Sequence, residues 1–104
     1  MKKIISLLVF SFAFSSFFSQ KINNDCTLKE IPIYGKVKIV DGFADFNVKI
    51  VENFSDIKVK IVTDFPDECG EWQFVDSFPD FTIKFVDNFP DFTVKFVDSF
   101  SGLK

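Results

Sequence analysis

The sequence predicts an all-β domain built from short tandem repeats, and three observations carry that prediction. An eleven-residue phrase, V-K-[I/F]-V-[D/E]-x-F-[P/S/A]-D-F-x, recurs six times, opening at Val37, Val48, Val59, Trp72, Ile83 and Val94 and closing at Lys104. Within each copy apolar and polar residues alternate, and the apolar ones are β-branched or aromatic, which marks a half-buried strand. Pro66, Pro79 and Pro90 fall inside three of the copies, where a helix would lose roughly 3 kcal/mol at each. An eleven-residue period also suits a right-handed helical coil. Those prolines, and copies almost free of alanine and leucine, argue against it.

At 104 residues the chain has room for one domain. Residues 1–19 read as a signal peptide: Lys2 and Lys3, an apolar run from Ile4 to Phe14, then a serine-rich exit, with the mature chain starting near Gln20. The run is shorter than the about 20 residues a membrane span needs, so no integral membrane segment is expected after its removal. Cys26 lies close behind, but Asn23, Asn24 and Asp25 precede it where a lipid-anchored export signal needs small apolar residues. Residues 20–36 form a lead-in segment, in which Pro32 favours an edge or a bend, and residues 37–104 form the six-repeat domain.

Loss of residues 1–19 would remove two lysines and no acid, taking the net charge from −3 to −5. An acidic chain without histidine is a poor match for nucleic acid, whose affinity comes from basic side chains on phosphates, or for an anionic membrane surface. Cys26 and Cys69 are its two cysteines. An oxidising compartment favours their pairing, and closing a loop of ~40 residues contributes about 4 kcal/mol in the chain-entropy model. A metal site there would lack further cysteine or histidine ligands.

Each column of the repeat has its own character. The first (Val37, Val48, Val59, Trp72, Ile83, Val94) and third (Ile39, Ile50, Ile61, Phe74, Phe85, Phe96) are expected on the inward face, which Phe46, Ile57, Phe81, Phe92 and Leu103 extend backward. The fourth, valine in all six copies from Val40 to Val97, points the other way, so both faces of the strand are partly covered. The corner follows, with Asp, Asn, Ser or Gly favouring a turn and a phenylalanine in every copy (Phe43, Phe54, Phe65, Phe78, Phe89, Phe100). This greasy corner predicts a tucked-in bend plugged by the ring. The register breaks once: Glu68-Cys69-Gly70-Glu71 precedes Trp72, so this copy has thirteen residues and divides the array into three copies either side. That predicts a longer loop pinned to the lead-in segment.

The V-K-I-V-D-x-F-A-D-F copies, the D-x-x-G-x-W step at Asp67, Gly70 and Trp72, and the following W-x-F-V-D-S-F-P-D-F resemble the bacterial septoil knot domain, from about Tyr34 to Lys104. The resemblance implies a short β-rich chain wound as a torus knot with seven crossings, and it carries over no catalytic residue. A β-solenoid or a β-meander is the alternative winding, although eleven residues per coil leave little interior for the phenylalanines.

The residues that could carry chemistry are few. Asp45, Asp56, Asp67, Asp80 and Asp91 recur at one position and could form a calcium ladder, giving a Ca²⁺-stabilised surface or adhesive repeat; capping of the corner by side-chain hydrogen bonds is the plainer role. Lys38, Lys49, Lys60, Lys84 and Lys95 make a solvated column that blocks sheet-to-sheet aggregation. Thr82 and Thr93 are too few for an ice- or sugar-binding ladder. Without histidine, a free thiol or a phosphate-cradling loop, no enzyme is expected; a hydrolase would have to use paired acids such as Asp45 and Asp91. The expected protein is a secreted or periplasmic, non-catalytic structural or binding module. It needs no cofactor or metal; the sequence does not identify its partner, a protein or an envelope surface component being the candidates.

Overall fold

The computed structural model describes residues 21–103; the signal-peptide reading of residues 1–19 falls outside them. No helix occurs among the described residues. The strands are β1 (Thr27–Leu28), β2 (Ile31–Pro32), β3 (Gly35–Ile39), β4 (Phe46–Ile50), β5 (Ile57–Ile61), β6 (Glu71–Phe74), β7 (Phe81–Phe85) and β8 (Phe92–Phe96). β1 and β2 form a small antiparallel hairpin. Its two turn residues, Lys29 and Glu30, both have positive φ, the mirror-image turn whose twist matches such a pair.

The other six strands close into a barrel in the order β3-β6-β5-β8-β4-β7, every neighbouring pair parallel. Parallel neighbours ordinarily need a crossover of a dozen residues or more. Here residues 40–45 suffice, because Ile39 at the end of β3 and Phe46 at the start of β4 both pair with Ile83 of β7. The crossover steps over one strand, and since the interior is filled it does so on the outside. Val94 likewise lies between Ile50 and Ile57, Val37 between Phe74 and Phe81, and Val48 between Phe85 and Phe92.

The strand order shows how the copies share the barrel. β3, β4 and β5 occupy alternate places around it, each two along from the last. The thirteen-residue copy then moves the chain one place instead of two, so that β6 pairs directly with β5. From there β6, β7 and β8 fill the gaps left by the first three. Successive copies are interleaved rather than stacked as in a solenoid.

The registers stack the inward residues in three tiers. Every first-column residue is fully buried and lies in the middle tier. Val37 pairs with Phe81 below it and Phe74 above, Ile83 with Phe46 and Ile39, and Trp72 with Gly35 and Ile61. The lower tier contains Phe46, Ile57, Phe81 and Phe92, all buried, with Gly35 at the equivalent position of β3 and Gly70 just before β6. The indole of Trp72 meets Phe81 edge-on at 5.8 Å and Phe92 at 6.5 Å between centroids. Such aromatic pairs add about 0.5–1.5 kcal/mol each beyond their buried area. A Cβ at Gly70 would run into the Lys58 carbonyl oxygen and lie 2.8 Å from the Gly102 nitrogen.

Two expectations need correction. The third column faces inward by alternation, yet its members sit at the strand ends, in an upper tier with no further layer above it. Ile50 is 50% exposed and Phe96 36%. The corner phenylalanines do not plug the bend. All six are exposed, from 82% at Phe65 to 106% at Phe43, and five of them, Phe54, Phe65, Phe78, Phe89 and Phe100, adopt the left-handed conformation with φ of 54–59°. That conformation is uncommon for a bulky residue; Phe43 is exposed without it.

Candidate functional site

The lower end of the barrel is closed by the segment leading into β3. Ile22, Cys26 and Ile33 are buried within the core cluster, and Lys29 lies 6.0 Å above the Phe46 ring. Cys26 is bonded to Cys69, with Cα atoms 5.9 Å apart. The disulfide therefore ties the lead-in segment to the long crossover, as the sequence predicts. The Ile33 carbonyl reinforces that junction, accepting hydrogen bonds from the Trp72 indole N–H at 3.3 Å and the Gly70 amide at 3.2 Å.

The aspartate column does something the sequence does not suggest. Instead of capping their own corners, the carboxylates of Asp45, Asp56, Asp80 and Asp91 reach the strand their crossover steps over. Asp45 Oδ2 accepts from the Thr82 amide at 2.9 Å, and the Asp45 amide donates to Thr82 Oγ1, also at 2.9 Å. Asp56 and Thr93 repeat that reciprocal clip. Asp80 accepts from the Lys36 amide at 2.8 Å and Asp91 from the Asn47 amide at 2.7 Å. Glu71 occupies the threonine place in the long crossover, accepting from the Asp67 amide at 3.3 Å. At the end of the array Gly102 stands where the aspartate would be and bonds Lys58 through backbone alone, 2.8 and 2.9 Å. The two threonines are thus clip partners; their spacing opposite Asp45 and Asp56 was the available signal, legible only with the strand order in hand.

These clips distribute the acids one per crossover around the barrel. Asp45 and Asp91 are not brought together: they clip different strands, β7 and β4. Among the described residues no three acids or cysteines gather at metal-binding range. Since a hydrogen bond to a charged group is worth about 1.5–3 kcal/mol, Asp56→Ala should lower stability by about 2 kcal/mol, because it strands the Thr93 amide. Asp41→Ala, an exposed change at a crossover start, should stay within about 0.5 kcal/mol. Equal losses in chemical denaturation would count against the clip.

The lysine column faces outward on the strands, and surface clefts run beside it. One is lined by Glu52, Phe54, Asp56, Lys58 and Lys95, a second by Phe43, Ala44, Asn47 and Lys84. Of the exposed corner phenylalanines, Phe54 lines the first cleft and Phe43 the second. Sequence reasoning missed them as surface residues because hydrophobicity argues for burial and no residue type announces a positive φ.

A family model described as the 7(1) septoil knot domain matches residues 30–104. No curated protein matches the chain.

Proposed function

Since the chain belongs to the septoil knot domain family, we propose that it is an exported, non-catalytic β domain, a durable structural or binding module of the periplasm or the cell exterior. The observation that carries this reading is the Cys26–Cys69 disulfide, since such bonds persist in oxidising compartments. It closes a loop of sequence separation 43, worth about 4 kcal/mol in the chain-entropy model. Two further features support it. A closed barrel has no free edge strand for another chain to pair with. No helix among the described residues is long and apolar enough to cross a membrane.

The non-catalytic part rests on the residue inventory. The chain has no histidine, the two cysteines are bonded to each other, and Asp45, Asp56, Asp80 and Asp91 hold backbone amides. The export part rests on residues 1–19.

Expression of the full chain in a bacterial host with an oxidising periplasm tests both halves. The expected product is an extracytoplasmic protein that begins near Gln20, has lost both thiol hydrogens and survives prolonged protease treatment. A full-length cytoplasmic protein with two free thiols would overturn the export reading; digestion within minutes would overturn the durable module.

A further inference from the structure

Two repeat columns never vary across the six copies: the valines from Val40 to Val97 and the corner phenylalanines from Phe43 to Phe100. The valines are half-buried. The phenylalanines are not, and nothing inside the molecule accounts for them. Their neighbours on either side drift freely, through Gly42, Asn53 and Ser77 before the ring and Ala44, Ser55 and Pro79 after it.

Placement says what they could meet. Each crossover lies over a different strand. The Val40 amide bonds the Ile83 carbonyl on β7, Val51 bonds Val94 on β8, Val62 bonds Trp72 on β6, Val75 bonds Val37 on β3, Val86 bonds Val48 on β4, and Val97 bonds Val59 on β5. The rings therefore form a belt around the barrel, one per strand, and no single plane can touch them all. The charge on the crossovers themselves is of one sign, while lysines of the strands (Lys58 and Lys95 near Phe54, Lys84 near Phe43) flank the clefts below. The five crossovers, 40–45, 51–56, 62–70, 75–80 and 86–91, and the equivalent segment 97–102 after the last strand together hold twelve of the chain's 15 acids and none of its lysines. In every copy an exposed acid comes just before the ring, two residues ahead in five copies and directly adjacent at Asp64–Phe65.

We propose that this belt binds lysine-rich polypeptide segments, deepening the reading of a binding module on which it rests. An ammonium group over an aromatic face is attracted by the ring quadrupole, the neighbouring carboxylate adds an opposite charge, and the lysine stem covers the exposed ring. Each ring alone binds weakly; six of them on a rigid frame multiply the effect when one flexible chain engages several. The same acids repel a second copy of the belt, and they repel anionic lipid.

The test uses the mature oxidised protein and an unstructured peptide alternating lysine and glycine, followed by fluorescence anisotropy. Replacing Phe43, Phe65 and Phe89 by alanine should weaken binding at least about tenfold, and replacing all six about a hundredfold, with the thermal midpoint little changed because the rings are exposed. Phe→Leu at the same sites should weaken it nearly as much, since leucine keeps the apolar contact and loses the ring face. Asp41→Asn, Glu52→Gln, Asp76→Asn, Asp87→Asn and Asp98→Asn together should weaken it comparably. Unchanged affinity in the six-alanine variant would overturn the proposal. So would tighter binding to uncharged phosphatidylcholine vesicles than to the peptide, or self-association of the wild type abolished by the alanines. Export and protease resistance are read separately, so failure here is distinguishable from failure of the module reading.

Discussion

Deleting Asp67 and Glu68 should abolish the folded state. The deletion restores an eleven-residue spacing, Phe65-Pro66-Cys69-Gly70-Glu71-Trp72, and keeps both cysteines. An eleven-residue copy moves the chain two places around the barrel, whereas the native long copy moves it one, placing β6 directly beside β5. With three copies already on alternate places, a further step of two returns the chain to the place held by β3. The second three strands would then have no gaps to enter. The expected result is a far-ultraviolet spectrum without strand signal and no cooperative thermal transition. Two glycines inserted after Ser99, beyond the last barrel strand and so without effect on any step, provide the control, since lengthening a surface loop costs under about 1 kcal/mol. A cooperative transition near the wild-type midpoint in the deletion variant would show that the step length does not set the winding.

Trp72→Ala should cost about 4 kcal/mol, within the range of about 3–5 kcal/mol for removing a buried large aromatic side chain. The indole is fully buried and meets Phe74, Phe81, Phe92 and Phe96 edge-on at 6.3, 5.8, 6.5 and 6.5 Å. Its partner on β3, Gly35, contributes no side chain to fill the space left behind. A domain of this size has a total stability of about 4–11 kcal/mol, so the variant should sit at the margin of folding. Trp72→Phe should retain about half of the lost stability, giving up the hydrogen bond to the Ile33 carbonyl. Urea denaturation of the oxidised proteins measures both. A loss below about 1 kcal/mol for the alanine variant would mean that the middle tier is not packed as described.

Much of this architecture is legible in the sequence, and what is not has a common cause. Alternation assigns a side chain to a face of its strand, so Val37, Phe46 and Phe92 are placed inside correctly. It does not give the height of that side chain along the barrel, so Ile50 and Phe96 are read as core when they form an open rim. The cysteine pairing follows from there being two cysteines in a chain read as exported. The partners of Asp45 and Asp91 do not follow, because Thr82 and Asn47 lie 37 and 44 residues away and become neighbours only through the interleaved order. The break at residues 68–71 is visible as two extra residues, but its meaning as a change of step needs the closed barrel.

The interleaving also bears on how the chain can be made. β5 and β6 pair across the single long crossover; every other barrel pairing joins strands of opposite halves, with the same separations of 37 and 44 residues. The first three copies emerging from a ribosome or a translocation pore have no partners to pair with. They remain an open, threadable polymer until the fourth copy brings β6 to pair with β3 and β5, and the barrel closes only when β8 arrives, so assembly is dominated by distant encounters and is correspondingly slow.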